Sequence, residues 1–198
     1  EEVIHVIEKA EAEGKTTVRL HTGDPCIYGA IREQMDILDE KNIVYDYCPG
    51  VSAFCGAASA LNLEYTLPGV SQSLIITRME GKTAVPPGES IESFASHQAS
   101  MAIYLSSGMI EELSKRLLTG GYEKDTPAAI VYKATWPDEK AFVCTVGTLG
   151  ETARENGITR LAVVLVGDVV KHQHYQKSKL YDADWETEYR SAKSGQNR

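Results

Sequence analysis

The chain has 198 residues, 42% of them hydrophobic and 24% charged, and a formal charge of −8. Such a length buries a real core, as one large domain or as two of about 100 residues each. No apolar stretch approaches the ~18 residues a membrane helix needs, and the acidic surplus leaves no basic field for nucleic acid.

The elements alternate along the chain. Val3, Ile4, Ile7 and Ala10 share one helical face, and Gly14 stops that helix. Val18 and Leu20 alternate with polar residues over 17–21, which predicts a short strand. Thr22-Gly23-Asp24-Pro25 is a turn, and Ile27, Ile31, Met35 and Leu38 then predict a helix to about Glu40. Residues 43–47 read as the next strand, and Ser52 as the N-cap of a small-residue helix reaching Leu61. The rhythm restarts with a strand over 73–77, a helix near 90–97, a strand over 102–105 and a helix over 109–118 closed by Gly120-Gly121. Strands over 128–132, 141–146 and 161–166 follow, with a helix over 148–155 before the last. Strand–helix alternation is the signature of an α/β fold.

Four cysteines, Cys26, Cys48, Cys55 and Cys144, have neither C-x-x-C nor zinc-site spacing. They read as the reduced thiols of a cytoplasmic protein with no metal site. His172 and His174 form an isolated pair in a charged segment, where solvated imidazoles are the simpler reading. No G-x-S-x-G elbow, catalytic triad order or Walker loop is present.

Three segments can carry a ligand. LHTGDPCIYG (20–29) joins a strand to a helix, the place where open α/β sheets bind ligands. Gly23 lets a backbone approach closely, and Asp24 either accepts hydrogen bonds from a ligand or caps the following helix. CPGVSAFCGAASA (48–60) is a second such passage, its small residues serving a flat ligand, tight packing, or both. AIVYKATWPDEK (129–140) offers the flat faces of Tyr132 and Trp136 and the cation of Lys133 to an aromatic ligand, a partner subunit or the core. His21 and the Ser106-Ser107-Gly108 step are weaker candidates, either as ligand contacts or as a strand end and a helix cap.

HTGDPCIYGAIREQM (21–35), PGVSAFCGAASAL (49–61), SLIITRMEGKTAVP (73–86), YLSSG (104–108) and DTPAAIVYKATWPDEK (125–140) together resemble the tetrapyrrole methylases. GDP-x-x-YG and PGVSA are shared across that superfamily. The ITR-x-EG-x-T-x-VP and YKATWPDE stretches most resemble the members that methylate C11 of precorrin-4, or its cobalt form, in cobalamin biosynthesis. The resemblance covers residues 1–189. It implies a two-lobed α/β fold, with a first lobe (1–71) built on a parallel sheet that lacks its N-terminal strand. A second lobe (72–190) carries a mixed sheet with helices, and 191–198 is a disordered or tag-like tail.

The resemblance further implies a homodimer and S-adenosylmethionine as co-substrate, held in the cleft between lobes. Thr22, Gly23, Asp24, Ile27, Ser52, Ala53, Leu105, Ala134 and Ala162 then correspond to its pocket. Tyr28, Arg78, Lys82 and Lys133 are expected to meet a carboxylate-rich tetrapyrrole, because Arg and Lys pair well with carboxylates. No residue is identified as a catalytic base. Family members begin with a strand and a G-x-G-P-G-D loop that this sequence does not contain. Roughly sixty residues are missing by that measure, about the size of a βαβ unit and its extensions. The expectation is a chain that keeps much of the cofactor pocket and lacks a complete substrate site. A superfamily member with another acceptor (a different tetrapyrrole carbon, diphthine or ribosomal RNA) and a non-catalytic ligand-binding fragment are the alternatives.

Overall fold

The computed structural model describes residues 2–171, 175–179, 185–186 and 188–189. The histidine pair 172 and 174 and the tail 191–198 lie outside the described residues. The chain divides into two compact units, Glu1–Gly56 and Ala57–Arg198.

The first unit holds helices α1 (Glu2–Ala12) and α2 (Arg32–Glu40) and the start of α3 (Ala53–Leu61). Ile4 and Leu38 are its buried apolar residues, and Lys41 Nζ pairs with Glu8 Oε1 at 2.6 Å. The parallel sheet expected here is not formed among the described residues, since 17–21 and 43–47 belong to no strand. Alternation alone does not make a ladder: Val18, Leu20 and Val44 are all more than 70% exposed, so neither apolar face is covered. Helix α2 also begins later than Ile27. Tyr28 and Ala30 have φ of +58° and +48°, and Gly29 crosses so close to Pro25 that an added Cβ would lie 2.1 Å from its carbonyl oxygen. That tight turn, and not the apolar spacing, fixes the helix start.

The second unit is built on a five-stranded mixed sheet in the order β1-β2-β5-β3-β4. Its strands are β1 (Leu74–Arg78), β2 (Ser100–Tyr104), β3 (Pro127–Tyr132), β4 (Lys140–Thr145) and β5 (Ala162–Val166). Only β1 and β2 are parallel; β5 runs antiparallel to β2 and β3, and β4 antiparallel to β3. Helices α4 (Ile91–Ala95), α5 (Ile110–Thr119) and α6 (Leu149–Glu155) supply the rest of the core. Ile91, Leu113, Leu117 and Leu149 meet Met101, Ile103, Ile130, Val164 and Val166 in one apolar cluster. The alternate residues Ala102, Ala129, Val131 and Leu165 are equally buried, which is why the central strands read as continuous apolar runs. Ser90 caps α4 by accepting from Ser93 N.

The sequence places the lobe boundary at 71/72, whereas the compact units divide inside α3. The intervening segment is fastened to β2: Ser100 Oγ donates to Tyr65 O at 2.8 Å, and Ser100 N to Ser71 Oγ at 3.1 Å. No helix among the described residues is long and apolar enough to cross a membrane.

Candidate functional site

In the first unit, Asp24 sews two loops together. Its Oδ1 accepts from Cys26 N at 2.9 Å, closing an Asx turn, and also from the Tyr47 hydroxyl. Its Oδ2 accepts from Gly50 N at 2.9 Å. These donors, the Tyr47 hydroxyl foremost, hold the Asp24 carboxyl well below the usual carboxylate range. Reciprocally, the carboxylate pushes the Tyr47 phenol up to about 12 and raises the neighbouring Cys26 thiol. Three of the roughly four lone-pair positions of the carboxylate are therefore committed to the protein.

The loops approach closely because glycines face each other. A Cβ on Gly50 would lie 3.0 Å from Gly23 O, and one on Gly23 (φ +91°) would lie 3.4 Å from Ser52 Cα. This places Gly23, Asp24, Ser52 and Ala53 side by side. Ser52 is buried, and its carbonyl accepts Cys55 N at 2.9 Å to open α3. Thr22 and Tyr28 are exposed, whereas Ile27 and His21 are half-buried.

In the second unit the sheet register gathers the other expected residues. Arg78 pairs with Tyr104 across β1 and β2, and Tyr132 with Ala162 across β3 and β5. The antiparallel β2–β5 ladder puts the start of β5 beside the end of β2. Leu105, Lys133, Ala134, Ala162 and Arg78 thus all stand at one end of the sheet, and Lys82 lies on the segment that follows Arg78 there. Four non-glycine residues there have positive φ: Leu105 (+53°), Lys133 (+48°), Thr135 (+70°) and Leu161 (+56°). Each such residue costs on the order of 1–2 kcal/mol, and strain of this kind gathers at ligand sites.

Two serines hold the strained end in place. Ser106 Oγ accepts from Met79 N at 3.0 Å and donates to Tyr104 O at 2.7 Å, joining the ends of β1 and β2. Ser107 Oγ donates to Ala162 O at 3.0 Å and accepts from Ala162 N at 3.2 Å, joining the start of β5. Lys133 N donates to Leu161 O at 2.8 Å. Neither serine caps the helical turn that follows; both are brackets. Two adjacent small hydroxyls directly after an apolar strand are the signal that points to such brackets, and Tyr47, the donor to Asp24, carries no comparable one.

The expected substrate cations differ in their surroundings. The Arg78 guanidinium donates to Met79 O (3.0 Å), Thr83 O (3.2 Å) and Ala84 O (2.9 Å). Lys133 Nζ is 2.5 Å from Asp138 Oδ2 and lies over the rings of Tyr132 and Trp136, 5.3 and 5.2 Å from their centroids. Lys82 is exposed. No group of three His, Cys, Asp or Glu among the described residues is placed to hold a metal ion.

Residues 1–150 match the family of tetrapyrrole (corrin/porphyrin) methylases. The chain belongs to that family. This tetrapyrrole methylase is 47% identical over 192 residues to a cobalt-precorrin-4 C(11)-methyltransferase of Methanocaldococcus jannaschii, covering 97% of this chain and 74% of the relative. It is 38% identical over 182 residues to the precorrin-4 C(11)-methyltransferase of Mycobacterium tuberculosis, covering 91% and 72%. The crystal structure of a cobalt precorrin-4 methyltransferase of cobalamin biosynthesis superposes with a TM-score of 0.83 at 40% identity, covering 85% of this chain and 70% of that one. A uroporphyrin-III C-methyltransferase of Thermus thermophilus, solved with S-adenosylhomocysteine, shares the fold at a TM-score of 0.72 and 20% identity, covering 86% and 74%. The tetrapyrrole methylase fold expected from the sequence is thus the observed one.

Proposed function

We propose that this tetrapyrrole methylase transfers a methyl group from S-adenosylmethionine to C11 of precorrin-4 or its cobalt form. The observation that carries the reading is the 47% identity over 97% of the chain to a cobalt-precorrin-4 C(11)-methyltransferase. The residues present fit the donor. Gly23 and Ala53 bring small residues to the joined loops, Ala134 and Ala162 do so at the strained sheet end, and Leu105, 66% exposed, offers an apolar surface for a flat base.

When bound, S-adenosylmethionine supplies an electrophilic methyl carbon on a sulfonium, and its displacement leaves a neutral thioether. The protein's contribution is therefore alignment and exclusion of water, not protonation of a leaving group. The Asp24 latch fixes the backbone of 22–27 and 50–53. The serine brackets fix the backbone at Leu105 and Ala162. On this reading Thr22, Gly23, Asp24, Ile27, Ser52 and Ala53 are donor-binding residues of the first unit, and Leu105, Ala134 and Ala162 are donor-binding residues of the second. Tyr28, Lys82 and Lys133 face the acceptor, with Lys133 screened by Asp138. The same reading takes the protein to be a cytoplasmic homodimer, which sedimentation velocity checks for the oligomer.

The test is incubation with precorrin-4 and methyl-labelled S-adenosylmethionine. Label at C11 supports the reading. Label at another carbon, or only on another acceptor, removes it.

A further inference from the structure

Resting on that reading, we infer that Arg78 is a positioning residue that folds the segment after β1 so that Lys82 meets a substrate carboxylate. Arg78 was expected to bind substrate directly, yet its guanidinium is spent on the backbone. One nitrogen reaches Met79 O and Thr83 O, and the other reaches Ala84 O, so the side chain spans the loop from base to far limb. Gly81 N donates to Thr83 O at 3.3 Å across the tip. A planar fork with several fixed donors can hold three carbonyls at once; a lysine ammonium of similar reach cannot reproduce that geometry.

The loop is also fastened from outside. Arg116, on α5, donates to Glu80 Oε1 at 2.8 Å and forks onto Glu92 of α4 at 2.6 and 2.9 Å. This contact engages Glu80, the acidic residue two positions before Lys82, with a guanidinium that it shares with Glu92. Glu80 is thereby held on Arg116 and does not pair with Lys82. Among the described residues Lys82 takes part in no ion pair or hydrogen bond, unlike Arg78 and Lys133. It stands at the same end of the sheet as Leu105 and Ala162, on a loop ordered before any ligand arrives. Pre-ordering of this kind lowers the entropy lost on binding. It also gives a chain of charge −8 a displayed cation for a polyanion, with the neighbouring Glu80 held on Arg116.

The experiment measures KM for precorrin-4 and kcat for the wild type, Lys82→Met, Arg78→Lys and the double variant, with S-adenosylhomocysteine affinity alongside. Loss of one charge-assisted contact predicts KM raised about tenfold in Lys82→Met with kcat within about twofold. Arg78→Lys keeps the charge and loses the fork, and is expected to raise KM comparably. The double variant is expected to be no worse than the worse single, because both changes remove the same contact. S-adenosylhomocysteine affinity is expected to be unchanged in all three. Trypsin reads the loop without substrate: Arg78→Lys is expected to be cut after Lys82 several times faster than the wild type. Multiplicative effects on KM, wild-type KM in Arg78→Lys, or unaltered cleavage would each overturn the inference. A wild type that methylates a different acceptor would instead remove the functional reading, so the two failures are distinct.

Discussion

The Tyr47 hydroxyl donates to Asp24 Oδ1 across 23 residues of sequence and so joins the turn after Thr22 to the loop before Gly50. The pairing predicts a defect in ligand binding without a loss of the fold. Tyr47→Phe is expected to weaken S-adenosylhomocysteine binding about fivefold, because one of the three donors that fix Asp24 is gone while Cys26 N and Gly50 N remain. Asp24→Asn keeps the shape but loses the charge that all three donors address, and is expected to weaken binding more. Isothermal titration calorimetry decides; equal affinity in wild type and both variants would detach the latch from the donor site. The pair is also visible to pH. A phenol held up to about 12 contributes stability that is complete below its unfolded value near 10.0 and is lost as pH rises through about 12. The tyrosinate absorbance titration is expected to lose a component at about 12 in Tyr47→Phe, while the still later one of buried Tyr122 stays.

Ser107 is 8% exposed and satisfies both backbone groups of Ala162. Ser107→Ala leaves a buried amide and carbonyl without that partner. A cost of about 1–3 kcal/mol is expected, read as a lower denaturation midpoint in urea with an unchanged slope. Ser106→Ala breaks the β1–β2 bracket and is expected to fall in the same range. A midpoint within experimental scatter of wild type in both would remove the bracket role.

Leu105 separates strain from stability. Its φ of +53° is unfavourable for a leucine, and its side chain is 66% exposed, so little burial is lost on truncation. Leu105→Gly relieves the strain and adds chain entropy to the unfolded state, and the two effects oppose each other at about 1 kcal/mol each. Thermal stability is therefore expected to be held or raised. S-adenosylhomocysteine affinity is expected to drop at least fivefold, because the apolar surface goes and the turn loosens. A clear loss of stability with unchanged affinity would mean that the leucine serves folding and not the ligand.

Local physics made the second unit legible. Leu113 and Leu117 at helical spacing, the Gly120-Gly121 stop and the apolar runs of β3 and β5 each state their element within a few residues. The gathering of Leu105, Lys133 and Ala162 at one sheet end follows from strand order, which no local pattern contains; only family resemblance supplied it. Residues 17–21 and 43–47 show the converse, because alternation alone does not make a strand, which needs a neighbour to pair with. The surroundings of Arg78 were illegible for a related reason. Its partners are carbonyls of Met79, Thr83 and Ala84, groups every residue has, so no side-chain signature announces them. Asp24 was legible as important through its Gly-Asp-Pro turn, but its long-range donor Tyr47 was not.

The Glu92–Arg116 fork gives a pH dependence whose sign is fixed by the carboxylate. The Arg116 guanidinium, with two nitrogens at 2.6 and 2.9 Å, lowers the Glu92 carboxyl from 4.5 to about 2. A carboxylate depressed on folding contributes stability that is complete above its unfolded value. The contribution fades as pH falls from 4.5 through about 2, where the folded-state carboxyl is itself protonated. Arg116 stays charged throughout, so the carboxylate alone sets the window. Glu92→Gln removes the charge at every pH. Its stability deficit against the wild type is expected to be constant at neutral pH, on the order of 1 kcal/mol for a partly exposed fork. The deficit should shrink steadily over the acid range as the wild type loses the same interaction. Urea midpoints for both proteins at intervals across that range measure it. A deficit that stays level to the acid end would show that the substitution acts through packing of α4 and not through the ion pair.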